Sequence, residues 1–344
     1  MNHYDIHPQF KLNGVRHTVD SLLREAKAML ATQEEYLVQV GQLIIDWFDE
    51  KEFVIQRTSG TTGPPKEIHL PKKAMVASAT ATVTFFDIPA GSTALLCMSA
   101  QFVGGKLMFI RALLFGWKLD ICKPSARPLL GNTTYYNFVA MVPMQVENSL
   151  NELDQINTLI IGGAKVSPVL VQKLIHKQTK VYETYGMTET ITHMAAKKVG
   201  NPYFEVLPHA RIQTDDRGCL VIDIPSISAT RLITNDLVNQ IDDHRFEWLG
   251  RFDHVINSGG VKLYPEQIEE KLAAKIPSRF FIAGKADDYF GTIVVLVIEN
   301  KPYALPEDLF DGLAKYERPK EIQFVEQFVE TESGKVIRSK NVNE

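Results

Sequence analysis

The sequence predicts an α/β protein: a large domain on a parallel sheet, a β-rich segment, and a smaller α+β region at the C-terminus. Three observations carry this expectation. From Asn137 the chain alternates β-branched strands, glycine-bearing turns and helices, which is the rhythm of a parallel sheet with crossover helices. After about residue 200 it changes to short alternating strands, and near Gly250 a third region begins with its own helix and strands. Finally, 344 residues exceed what one core ordinarily holds, so two domains are expected, one of them large.

Taken in order, Thr18-Val19-Asp20-Ser21 leads into Leu22, Leu23, Ala26, Met29 and Leu30, predicting a helix over 18–31 capped by Thr18 or Asp20. A second helix is expected over 34–48, where Leu37, Val40, Leu43, Ile44 and Trp47 fall mostly on one side. Residues 72–86 read as an Ala- and Thr-rich helix, 93–99 as a buried strand, 107–115 as a helix and 118–121 as a short strand. A strand over 138–142 is ended by Pro143, and a helix begins at Val146. The strand 158–161 runs into Gly162-Gly163-Ala164, a helix covers 169–176, and the strand 181–184 leads to Tyr185-Gly186-Met187-Thr188-Glu189. Segments 210–214, 219–224, 238–241 and 246–249 read as antiparallel strands, with Asp215-Asp216-Arg217-Gly218 as a hairpin turn. Beyond Gly250 come a helix over 265–274, strands over 280–283 and 292–298, and a helix over 307–315.

Composition excludes several classes. Hydrophobic residues at 45% and charged residues at 23% are the proportions of a globular protein. A formal charge of −4 and a pI near 6.2 argue against a general binder of nucleic acid or anionic membrane. Cys97, Cys122 and Cys219 form no CxxC pair, and the nine histidines form no HxH or HExxH, so no zinc site is expected. No basic-then-apolar leader follows Met1, and no apolar run nears the roughly 18 residues of a membrane span. A cytoplasmic protein without membrane insertion is expected. Its oligomeric state is not legible.

The chain is organised around Thr58-Ser59-Gly60-Thr61-Thr62-Gly63-Pro64-Pro65-Lys66, a turn between two strand-like stretches. Glycines let backbone N–H groups face an anion, the hydroxyls add donors, and Lys66 adds a mobile charge. The bland reading is a surface hairpin, but hydroxyl residues interleaved with two glycines and closed by Pro-Pro-Lys exceed what a turn requires. Phosphate binding is the favoured reading, though the Walker A pattern is absent because Pro65 and Glu67 flank Lys66. In the 185–189 pentapeptide, Tyr185 offers a face for a base, Thr188 a donor to a phosphate and Glu189 a carboxylate for Mg²⁺. The same residues also read as a capped helix start, and both readings stand open. Gly162, Gly163 and Ala164 serve either a nucleotide or helix packing; Asp236 serves ribose hydroxyls or an Asn-Asp turn, and the turn is favoured without context. Arg251 and Asp253, then Ser258, Gly259 and Gly260, form a denser group, whereas Lys335 on its Ser-Gly loop reads by default as a solvated charge.

In this order and spacing the motifs resemble those of the adenylate-forming acyl- and aryl-CoA ligases, from about residue 54 to the C-terminus. The resemblance implies an ATP- and acid-binding domain over 1–252 and a small mobile domain over 253–344 that turns about Asp253. It implies that the 58–66 loop holds the β- and γ-phosphates; Gly162, Gly163, Ala164, Tyr185 and Gly186 frame adenine; Thr188 meets the α-phosphate; and Glu189 holds Mg²⁺. Asp236 and Arg251 would bind ribose, Lys335 would enter for adenylation, and Ser258, Gly259 and Gly260 would line the CoA thiol's channel. The implied small molecules are ATP, Mg²⁺, CoA and a carboxylic acid. Within the family, the run Gly259-Gly260-Val261-Lys262-Leu263-Tyr264-Pro265-Glu266 is most similar to short bacterial o-succinylbenzoate–CoA ligases of menaquinone synthesis.

The sequence also departs from the family. Only about fifty residues precede the phosphate loop, the family's Thr-Gly-Asp is Thr234-Asn235-Asp236, and His254 stands where a second Asp is usual. The family's aromatic-histidine gate has no clear match; Gln101, Phe102 and Gly105 occupy the expected acid pocket, where Gly104 and Gly105 leave room for a ring. An aromatic acid is therefore expected. Two rivals are an enzyme loading a carrier protein's pantetheine arm and a nucleotide-binding module without turnover; Glu189 and Lys335 together argue against the second.

Overall fold

The computed structural model describes residues 5–57, 67–289, 291–330 and 336–342. The elements run β1 (Lys11–Leu12), β2 (Val15–Arg16), α1 (Val19–Leu30), α2 (Glu35–Phe48), β3 (Phe53–Arg57), β4 (Glu67–Pro71) and α3 (Lys72–Phe86). There follow β5 (Thr93–Leu96), α4 (Val103–Phe115), β6 (Lys118–Ile121), β7 (Tyr136–Met141), α5 (Pro143–Asn148), β8 (Ile156–Ile161), α6 (Pro168–Leu174) and β9 (Lys180–Gly186). The antiparallel series is β10 (His193–Lys198), β11 (Phe204–Val206), β12 (Arg211–Thr214), β13 (Cys219–Asp223), β14 (Leu232–Gln240) and β15 (Arg245–Arg251). The C-terminal part holds β16 (Ile256–Ser258), β17 (Val261–Leu263), α7 (Pro265–Leu272), β18 (Phe280–Asp287), β19 (Gly291–Glu299) and β20 (Glu321–Val325).

Thirteen strands form one sheet in the order β12-β13-β14-β15-β11-β10-β9-β8-β7-β5-β6-β1-β2. From β9 to β1 the neighbours are parallel; from β10 outward they are antiparallel. The two regimes seen in the sequence are thus halves of a single sheet, joined where β10 doubles back on β9. The C-terminal part forms its own sheets, β16-β17 and β18-β19-β20, around a separate apolar cluster that includes Ile256, Ile268, Leu296 and Leu309. This is a large α/β unit with a small α+β unit, as expected from the sequence.

Helix α4 centres the large core. Every residue from Gly105 to Leu114 is buried, which is why its sequence is apolar all round rather than striped. Helix α3 lies along it through small buried residues, Ala74, Ser78 and Ala79 among them. Thr18 caps α1 as expected, accepting from the Ser21 N–H at 3.3 Å.

Two expectations need correction. Residues 307–315 do not form a helix but a series of turns, with N–H to C=O bonds three residues apart at Leu309, Asp311 and Leu313. Gly312 at φ +90° breaks any helix there, and Leu309 and Leu313 anchor the turns in the core. The capped-helix reading of Thr188 also fails: Thr188–Thr190 is one 3₁₀ turn without a side-chain cap, and Tyr185 and Gly186 still belong to β9.

Candidate active site

β3 and β4, the strands on either side of residues 58–66 in the sequence, pair antiparallel as a hairpin from Phe53↔Pro71 to Arg57↔Glu67. Thr58, Ser59, Gly60, Thr61, Thr62, Gly63 and Lys66 themselves lie outside the described residues, as does Lys335. The hairpin is docked where chemistry is expected: the Gln56 amide donates to the Gln101 carbonyl at 3.1 Å. That carbonyl also takes the Lys106 ammonium at 3.0 Å, and the Ala100 carbonyl takes it at 2.8 Å. Burial pulls the Lys106 pKa down to about 8. The segment before α4 is further fixed because a Cβ on Gly105 would stand 2.3 Å from the Ser99 carbonyl oxygen.

A cavity of about 640 Å³ opens at the carboxyl ends of β7, β8 and β9, where open α/β sheets bind ligands. Phe102 and Gly105 from the expected acid pocket line it, as do Gly162, Gly163, Gly186 and Thr188 from the expected nucleotide site. The acid and nucleotide readings therefore meet in one space. Gln101 does not line it; its backbone anchors the wall while its side chain is exposed. Gly162 is required for close approach, since its Cβ would meet the Thr184 hydroxyl at 2.8 Å, and Thr184 donates to the Ile161 carbonyl.

The sequence reading missed two wall residues. Arg111, on α4, is 1% exposed, and among the described residues neither Nε nor Nη2 has a hydrogen-bond partner. Burial pulls its pKa down to about 9, which leaves the guanidinium charged at neutral pH. A single arginine inside the apolar run Leu107-Met108-Phe109-Ile110-Arg111-Ala112-Leu113 is the sequence signal that could have found it. His193, buried beside it, bonds Thr82 through Nε2 at 3.2 Å. Thr82 already donates to the Ser78 carbonyl, so its oxygen accepts and the imidazole proton sits on Nε2. Burial above all, then the Arg111 charge, then His209, hold the His193 pKa well below its usual range.

Asp236, Tyr185 and Arg251 do not line the cavity; Asp236 sits within β14, not in a turn, and three donors converge on it. Tyr185 donates its hydroxyl at 2.7 Å, Trp248 its indole N–H at 3.3 Å and Arg251 its guanidinium at 3.5 Å. Burial, then the Asp236 carboxylate, push the Tyr185 pKa upward. Tyr185 packs against Phe204 and Phe246, with ring centroids 5.8 and 5.3 Å away. Ala164 leads directly to Lys165, whose ammonium lies 5.4 Å from the Trp248 ring centroid.

Asp253, in the 3₁₀ turn after β15, accepts from Asn235 and Arg251 at 3.3 Å. Ser258 ends β16, and Gly259 and Gly260 form the two-residue turn to β17 at φ +56° and +83°, a conformation that favours glycine. These three residues do not line the cavity. Glu189 is exposed, and among the described residues no hydrogen bond or ion pair commits its carboxylate. No cluster of three metal-binding side chains occurs among the described residues, so no metal site made of side chains alone is present there.

A family model described as AMP-binding enzyme matches residues 14–218. The 2-succinylbenzoate–CoA ligase of Bacillus cytotoxicus is 26% identical over 94% of this chain and 74% of its own. A solved acyl-CoA synthetase (AMP-forming)/AMP-acid ligase II-like protein from Dyadobacter fermentans is 32% identical, with a TM-score of 0.63 over 92% of this chain and 96% of its own. The o-succinylbenzoate CoA synthetase of Bacillus subtilis, solved with its acyl-adenylate, is 19% identical, with a TM-score of 0.72 over 86% of this chain and 70% of its own. The chain belongs to the AMP-binding enzyme family, and its class of reaction is that of an AMP-forming acid–CoA ligase. No helix among the described residues is long and apolar enough to cross a membrane.

Proposed function

We propose that this chain activates an aromatic acid carrying a second carboxylate, with o-succinylbenzoate preferred, and passes the acyl group to CoA. The observation that carries the substrate is Arg111. A buried charge with two of its three nitrogens unpaired among the described residues is unfavourable, and a cavity lined by one is suited to an anion brought by the ligand. o-Succinylbenzoate carries two carboxylates: one reacts, the other is free to meet the guanidinium. The Bacillus cytotoxicus relative is named for this acid, which supports the choice.

In the first step a carboxylate oxygen attacks the α-phosphorus of ATP, the bond to pyrophosphate breaks, and an acyl-adenylate forms. In the second the CoA thiolate attacks the acyl carbon and AMP leaves. Gly162, Gly163, Ala164 and Gly186 frame the adenine, Asp236 and Arg251 hold the ribose, and Thr188 donates to the α-phosphate. Glu189 would hold the Mg²⁺, which offsets phosphate charge when bound. The 58–66 loop binds the outer phosphates, Lys335 stabilises the α-phosphate during attack, and Ser258, Gly259 and Gly260 line the thiol's path. The chain divides at Asp253 into an adenylation domain, 1–252, and a mobile small domain, 253–344.

The test is pyrophosphate release from ATP with o-succinylbenzoate, benzoate, acetate and a long-chain fatty acid, followed by thioester formation with free CoA. The expected order in kcat/KM places o-succinylbenzoate first. Arg111→Gln should lower that value by about 10²-fold, the worth of a buried charged pair, and lower the benzoate value far less. A preference for acetate or the fatty acid, or an equal loss on all acids, would remove this reading. Product only with a carrier protein would change the acceptor.

A further inference from the structure

The sheet brings together two residues that strict alternation would keep on opposite faces. In β14–β15, Asp236 opposes Arg251 and Leu237 opposes Gly250, but Val238 opposes Trp248, so Leu249 is an extra residue on β15. Residues directly opposite one another share a face, and Asp236 and Val238, two apart, share theirs. The bulge at Leu249 therefore turns Trp248 and Arg251, three residues apart, to the Asp236 side. The bonds agree: both donate to Asp236 Oδ1, at 3.3 and 3.5 Å.

The two Asp236 oxygens are unequally used. Oδ2 takes the short Tyr185 bond at 2.7 Å, whereas Oδ1, among the described residues, has only the two long ones. A carboxylate accepts about four hydrogen bonds, so Oδ1 keeps capacity for an incoming hydroxyl. The Trp248 ring meanwhile faces Lys165, the residue after the Gly162-Gly163-Ala164 turn, with the ammonium 5.4 Å from its centroid. One indole thus touches both the adenine-side turn and the ribose-side carboxylate.

We propose that Trp248 is a nucleotide-positioning residue, its indole N–H holding the Asp236 carboxylate in the orientation that receives the ribose hydroxyls. This rests on the reading of Asp236 as the ribose acceptor. A bulge with a tryptophan is not needed for the strand pair itself, since Val238 and Phe246 already supply buried apolar side chains there. Trp248 is also suited to report on the site. The chain has three tryptophans, and Trp47 and Trp117 are fully buried elsewhere in the core, leaving Trp248 the partly exposed one.

The experiment uses the intact chain, AMP and ATP. AMP binding is measured by calorimetry and by tryptophan emission in the wild type and in Trp248→Phe, which keeps a ring and removes the N–H. AMP should change the wild-type emission and leave the Trp248→Phe emission unchanged. Loss of this one long hydrogen bond should raise the KM for ATP about three- to tenfold, with kcat and the KM for the acid little altered. Trp248→His, which restores a ring N–H, should recover part of the ATP effect, a result that simple loss of packing would not give. AMP binding without an emission change, together with an unaltered KM for ATP in Trp248→Phe, overturns the proposal. Calorimetric failure of the wild type to bind AMP would instead sink the ribose reading beneath it, and the proposal with it.

Discussion

His193 and His209 are both held neutral by their surroundings, His209 with a pKa lowered to about 4, mainly by burial. An unfolded chain protonates them near 6.5, so between about pH 6.5 and 4 the unfolded state binds more protons than the folded one. Stability therefore falls as pH drops through that window, by up to about 1.4 kcal/mol per pH unit for each histidine. Urea midpoints at pH 6.5 and 5.3 should show the loss, and His209→Gln should reduce the slope. Parallel slopes in the two proteins would mean that His209 is protonated in the fold after all. At this scale the sequence showed chemistry only where a residue stood in a motif. Tyr185, Thr188, Glu189, Asp236 and Arg251 could be proposed from the sequence because motif spacing singles them out. Arg111, His193 and Trp248 were not, because a lone polar residue acquires meaning from the strand or helix packed against it, and that pairing is set by tertiary structure. Glu189 is the simplest case to check: Glu189→Gln should weaken use of Mg·ATP without changing the fold, seen as a higher Mg²⁺ requirement in pyrophosphate release. An unchanged Mg²⁺ requirement with normal turnover would leave the carboxylate no role beyond its exposed position.

Elements were read well where periodicity was long and poorly where tertiary contact overrode it. The helices α1 and α2 have strong apolar spacing, α3 is rich in alanine, and all three lie within a residue or so of their expected bounds. The two-residue strands β1 and β2 carry no pattern of their own; they exist because β1 finds the edge of β6. Segment 307–315 shows the opposite error, a helical pattern defeated by Gly312. The junction of β9 and β10 controls the site most directly. Ile191 there has φ +65° and ψ −56°, and the Thr192 N–H bonds the Thr190 carbonyl at 2.8 Å, a strained three-residue turn. Thr190 holds it, its hydroxyl bonding the Thr192 and Met187 carbonyls. Ile191, Thr192 and His193 thereby become one wall of the cavity. The turn closes only because Gly186 lets β10 approach: a Cβ would stand 2.4 Å from both the His193 Cα and the Thr192 carbonyl oxygen. Gly186→Ala should accordingly destabilise the protein by roughly 1–3 kcal/mol, as overpacking does, and raise the KM for the acid. A variant as stable as the wild type would show that the junction yields freely.

At the scale of the whole molecule, the proposed mechanism asks one chain for two arrangements. Asp253 stands at the exit of the large sheet, its carboxylate tied to Asn235 and Arg251, and the small sheets begin at Ile256. Glu266, at the start of α7, packs so near Gly250 that a Cβ there would lie 2.5 Å from its Oε2, so the units touch closely in this arrangement. In the proposed mechanism Lys335, about eighty residues beyond Asp253 in the sequence, would reach the α-phosphate only when the small unit turns toward the cavity. During attack by the acid, charge shifts onto the α-phosphate oxygens. Removing one preorganised donor from such a centre costs roughly 2.7–4 kcal/mol, or about 10²–10³ in rate. Lys335→Ala should therefore nearly abolish adenylate formation yet still convert a supplied acyl-adenylate to thioester. Asp253→Pro should do the reverse, because proline fixes φ and resists the hinge change needed to present the Ser258, Gly259 and Gly260 turn to the thiol. Single-turnover kinetics of each half-reaction in each variant separates these outcomes. If Lys335→Ala slows both steps equally, the lysine is a general contact, and one arrangement suffices for both reactions.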